Sequence, residues 1–80
     1  MKLYIKEFYK EENHFLLLKI KSYTYILNKG FYLYGIKDGN ILWIKSRKHA
    51  WNFKLQEIAQ EIKEAIKRHI NFGYKHVFLD

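Results

Sequence analysis

The chain has no cysteine and no proline among its 80 residues. Without cysteine it forms no disulfide and no thiolate metal site. No apolar run approaches the roughly 18 residues that mark a membrane-spanning helix. The opening "MKLYIKEFYKEE" has no uninterrupted apolar segment after Lys2, so it does not read as a signal peptide. The expected location is the cytoplasm, that of the host cell if a phage encodes the protein. No linker, repeat or low-complexity segment divides the chain, and 80 residues make one domain, 1–80.

Acid is scarce as well. The formal net charge is +7, and its placement matters more than its size. Residues 1–54 hold eleven Lys and Arg against four acids, whereas residues 55–80 hold four against four. A one-sided basic field points to a polyanion or an acidic protein surface as partner. Lys, Ile, Tyr, Phe and Asn make up 41 of the 80 residues, and all five use AT-rich codons. That bias points to a low-GC bacterium, phage or mobile element. It also discounts arguments from lysine or tyrosine counts alone.

Residues 2–9, "KLYIKEFY", are rich in β-branched and aromatic types and read as a strand. "KEENH" (10–14) reads as a turn. "FLLLKIKSYTYIL" (15–27) is one long strand or two short ones, with a bend or bulge expected near Lys21-Ser22. Asn28-Lys29-Gly30 is a turn, and residues 31–37 and 40–46 form a hairpin around Asp38-Gly39. From about Asn52 the apolar period becomes helical. Leu55, Ile58, Ala59, Ile62, Ala65, Ile66, His69 and Ile70 form one stripe, and Gly73 is placed to end it. "YKHVFL" (74–79) is a last short strand. The expected fold is α+β: a small antiparallel sheet in the order β-β-β-β-α-β, with one amphipathic helix packed on one face.

A two-residue Asp38-Gly39 turn sets Ile36 opposite Ile41, Tyr34 opposite Trp43 and Tyr32 opposite Lys45. Leu33, Leu42 and Ile44 then face the helix, and the aromatic-basic side faces away. If the long strand joins in register, the open face presents Lys19, Lys21, Tyr23, Tyr25, Tyr32, Tyr34, Trp43 and Lys45. A two-residue Lys29-Gly30 turn brings the two aromatic sets together; a three-residue loop puts them on opposite faces, since a one-residue slip inverts a strand. Such a face suits nucleic acid, with rings that stack on bases and cations that meet phosphates. A protein interface is the second reading of such a face. The rings also simply pair well across strands.

The segment "KSRKHAWNFK" (45–54) adds Arg47, Lys48 and Lys54 and contains no acid. A basic loop holding an aromatic can follow a phosphate backbone. Trp51 itself reads as a hydrophobic staple over the helix start. The four histidines form no compact pair, so no metal and no cofactor are expected. No Gly-rich phosphate loop, nucleophile elbow or HExxH is present, and the expectation is not an enzyme.

Three strands followed by a helix, with aromatics and cations on the open face, resembles the small arm-binding domains of some mobile-element integrases. The last sixty residues resemble, in element order, some compact phage anti-CRISPR proteins. Two functions follow as expectations. One is a small non-catalytic nucleic-acid-binding protein that uses the aromatic face and the basic loop. The other is an anti-CRISPR-like inhibitor that docks on a host nuclease or nucleic-acid-handling complex through the same surface. No membrane partner is expected, and a homo-oligomer through that face is a third alternative.

Overall fold

In the computed structural model, the described residues are Leu3–Lys6, by backbone, and residues 15–79. The expected turn at 10–14 and the end of the first strand lie outside them. The fold is α+β, a sheet with one helix on one face. Its strands are β1 (Leu3–Lys6), β2 (Leu16–Ile20), β3 (Tyr23–Asn28), β4 (Phe31–Lys37), β5 (Asn40–Ile44) and β6 (Lys75–Leu79). A 3-10 turn, Arg47–His49, and the helix α1 (Gln56–Asn71) lie between β5 and β6. The sheet order is β1-β6-β5-β4-β3-β2.

The antiparallel expectation needs one correction. β6 pairs parallel with β5 and antiparallel with β1, so the sheet is mixed. The helix carries the chain back across the sheet, and a crossover between adjacent strands delivers them parallel.

The segment 15–27 is two strands. Ile20 pairs with Tyr23, so Lys21-Ser22 is a tight two-residue turn rather than a bend. Lys21 takes φ of 56°, the conformation that a turn with positive φ at its first central residue requires. Of the two readings of residues 28–30 the two-residue Lys29-Gly30 turn forms, and it and the expected Asp38-Gly39 turn have positive φ at both central residues.

β4 and β5 start in the expected register, with Ile36 opposite Ile41 and Gly35 opposite Leu42. Tyr34 is then an extra residue, and Leu33 meets Trp43. A bulge of this kind bends its strand and shifts the alternation by one. β3 and β4 pair only near their turn, through Leu27–Tyr32 and Asn28–Phe31. Farther on, residues 51–53 occupy the gap between them. The Trp51 N–H donates to the Leu33 carbonyl at 2.9 Å, and Phe53 exchanges both backbone hydrogen bonds with Thr24.

That insertion delays the helix. Asn52 does not cap it; Leu55 stands at the N-cap without a side-chain hydrogen bond. The stripe is buried at Ala59 and Ile66 and half-buried at Ile62 and Ile70, while Leu55 and Ile58 project into solvent. Ala59 and Ile66 join Phe15, Ile26, Leu33, Ile41, Trp43, Phe53 and Phe78 in the main core.

The helix ends as the sequence leads one to expect. The Gly73 N–H donates to Ile70 O and the Tyr74 N–H to His69 O, both at 3.0 Å. These are the two bonds of a Schellman motif, and the Tyr74 ring closes it against His69 at 4.7 Å. Gly73 has φ of 100° with no atom within 4 Å of an added Cβ, so the constraint is conformational and not steric crowding. Gly73→Ala should therefore lower stability by about 1 kcal/mol, measured by urea denaturation.

Candidate nucleic-acid interface

The bulge at Tyr34 decides where the aromatic residues point. Trp43 shares its face with Leu33 and Ile41 and is fully buried, with 0% exposure. Its ring stacks 5.5 Å from Phe15, and its Nε1–H donates to His76 Nδ1 at 2.8 Å. That bond leaves the His76 proton on Nε2. Burial first, and the positive charge of Lys29 second, pull the His76 pKa down to about 3. Trp43 is thus a core residue, and its placement on an open face is corrected.

The rest of the expected face divides as well. Tyr23 and Tyr25 lie on the face away from α1, together with Tyr32, as the two-residue Lys29-Gly30 turn requires. Tyr25 is buried there and meets Tyr32 edge-on at 5.7 Å. These rings pack with Ile44 and Ala50, with Ile20 and Leu27 beside them. The chain around Ala50 thus closes part of a face expected to be open. Lys19 is opposite Thr24 and points to the helix side, away from the tyrosines, because the Lys21-Ser22 turn reverses the alternation. Lys21 is exposed at that turn, and Tyr34 is exposed at the bulge. Lys45 is exposed, with its Nζ 5.5 Å from the centre of the Phe31 ring. Among the described residues no continuous aromatic-basic sheet face forms.

What remains together is the connection from Lys45 to Lys54. The 3-10 turn is closed by His49 N–H to Ser46 O at 3.3 Å and Ala50 N–H to Arg47 O at 3.1 Å. Its three residues, Arg47, Lys48 and His49, are all exposed. Ala50 is packed against Tyr25 and Ile44, and Trp51 and Phe53 are bonded into the sheet, so the segment is pinned on both sides of Trp51. Trp51 is 38% exposed and rests on Phe53 at 5.2 Å, with 35° between the rings. It is no staple over the helix start. No Asp or Glu occurs between Asp38 and Glu57. Lys45, Arg47, Lys48 and Lys54 have no ion-pair partner among the described residues; the ion pair described there is Lys67–Glu64 on the helix, at 3.7 Å. Four unneutralised cations and one half-open indole therefore share a short, anchored stretch of chain.

No known protein family, curated protein or solved structure matches the chain. Among the described residues there is no group of three or more potential metal ligands and no helix long and apolar enough to cross a membrane. Trp51, which the sequence reading placed over the helix start, is instead exposed beside the cations of the 45–54 connection. Its signal was the run 45–54 itself, basic, acid-free and interrupted by one tryptophan.

Proposed function

We propose that the protein is a small non-catalytic nucleic-acid-binding module that works through the Lys45–Lys54 connection. The observation that carries this reading is the pinned, exposed cation set around Trp51. Cations that have no acid to neutralise them release counterions when they meet phosphates, and that supplies most sequence-independent affinity. The exposed indole face offers a platform for a base, and a stacked base contributes roughly 1–3 kcal/mol.

Titration of single- and double-stranded DNA and RNA oligonucleotides, followed by fluorescence anisotropy across salt concentrations, tests the reading. Affinity should fall steeply with salt. Arg47→Ala and Lys48→Ala should each reduce the slope of log affinity against log salt by about 0.9 on duplex DNA. Trp51→Ala should weaken single-strand binding by about tenfold with little change of slope. Absence of binding to all four at low salt would remove the reading.

The inhibitor reading, in which the protein docks on a host nuclease or other nucleic-acid-handling complex, draws on a different observation: exposed leucines on the edge strand β2.

A further inference from the structure

β2 is the last strand of the sheet. Its outer-face residues are apolar and open: Leu16 is 65% exposed and Leu18 is 37% exposed. Ile20 continues the same row. Edge strands are usually protected by charge or cover, because their free backbone groups template further pairing. Among the described residues no charged side chain of β2 or β3 lies on the face of Leu16 and Leu18, and Ile20 is partly covered by the Tyr25 cluster.

The hairpin geometry says which backbone groups are on offer. In a two-residue hairpin the residues flanking the turn exchange hydrogen bonds, and so do alternate pairs beyond them. Here those are Ile20–Tyr23, Leu18–Tyr25 and Leu16–Leu27. The backbone N–H and C=O of Leu17 and Lys19 therefore point away from β3. Thr24, opposite Lys19, follows the same rule on the other side, since its N–H and C=O both bond to Phe53.

Charge selects the occupant. From Phe15 to Lys37 the chain carries four lysines and no acid. Lys19 projects from the helix-side face of β2, and Lys21 lies at its end. A second copy would bring its own Lys19 and Lys21 to the seam, along with another +7 of net charge. We infer that β2 accepts an extended, acidic segment of a partner protein as a seventh strand. The segment bonds to the backbone of Leu17 and Lys19. It lays apolar side chains along Leu16, Leu18 and Ile20 and sets a carboxylate against Lys19. This is strand addition, with affinity from the main chain and specificity from alternate side chains.

The probe is a capped seven-residue peptide alternating valine with glutamate; its control alternates valine with lysine. Amide hydrogen exchange and peptide titration are measured on the intact protein. The glutamate peptide should bind at least tenfold more tightly than the control and protect the Leu17 and Lys19 amides. Leu18→Lys should abolish that binding. Lys19→Glu should reverse the preference in favour of the lysine peptide. Both variants are at exposed positions, and an unchanged thermal midpoint shows that each still folds. Equal binding of the two peptides, or neither binding, overturns the inference. So does protection of Leu17 and Lys19 that rises with protein concentration alone, because the edge would then belong to a second copy. The nucleic-acid reading is untouched by any of these outcomes, since β2 takes no part in it.

Discussion

Trp43→Ala should cost about 3–5 kcal/mol of folding stability, the range for emptying a core aromatic site. A chain of this size holds about 4–12 kcal/mol in total. The variant should therefore lose between about a quarter and all of its stability, with a urea midpoint well below that of the wild type. Two losses add up. The indole is fully buried, so its removal leaves a cavity among Phe15, Leu33 and Phe78. Its hydrogen bond to His76 Nδ1 also disappears, which leaves a buried acceptor without its donor. Trp43→Phe separates the two, because it retains most of the apolar bulk and loses the bond, and should cost about 1–3 kcal/mol. Urea denaturation followed by far-UV circular dichroism reads both. A fully stable Trp43→Ala protein that merely bound a partner less well would mean that the indole lies at the surface.

The sequence made Trp43 look like a surface residue for a reason that can be located. The Asp38-Gly39 turn was legible, and the register it implies holds as far as Gly35 and Leu42. One extra residue, Tyr34, then turns the part of β4 farther from the turn, Phe31 to Leu33, to the other face. The available signal was Gly35, since glycine inside a strand often marks a bulge. The second inversion, at Lys21-Ser22, had no such mark. That turn lacks the glycine or asparagine that positive φ favours, and Lys21 adopts the strained conformation instead. The helix was legible from its period and from Gly73. Its start was not, because the insertion of residues 51–53 between β3 and β4 is a long-range contact with no local period.

These two inversions also sort the charge. The expected surface mixed tyrosines and lysines on one plane. In the structure the tyrosines Tyr25 and Tyr32 pack under Ala50, and the cations divide between two separate places, the 45–54 connection and the β2 hairpin. Neither place carries an acid of its own. Six of the eleven Lys and Arg residues in the first two thirds of the chain thus lie in two places of different geometry. In the two proposals a pinned loop would offer point charges to a flexible polyanion, and a strand edge would offer directed backbone hydrogen bonds to an extended chain.

Acid should unfold the protein through His76. The residue is wholly buried, and its pKa is lowered to about 3, by burial first and by the Lys29 charge second. In the unfolded chain a histidine takes up its proton near pH 6.5. Between those values the unfolded state holds a proton that the folded state lacks, so stability rises with pH across that window. The full contribution is present above pH 6.5 and is lost as the pH falls toward 3. One pKa unit corresponds to about 1.4 kcal/mol, so the total loss is on the order of 5 kcal/mol. The geometry explains why the folded state resists the proton. Nδ1 already accepts from the Trp43 Nε1–H, and a proton there would set two donors against each other. Urea midpoints measured from pH 7 down to pH 4.5 isolate this effect from most carboxylate titration. The wild-type protein should lose stability steadily over that range. His76→Leu should start lower at pH 7, because the Trp43 bond is gone, and then decline much less. Equal slopes in the two proteins would place the acid sensitivity elsewhere and contradict a buried, neutral His76.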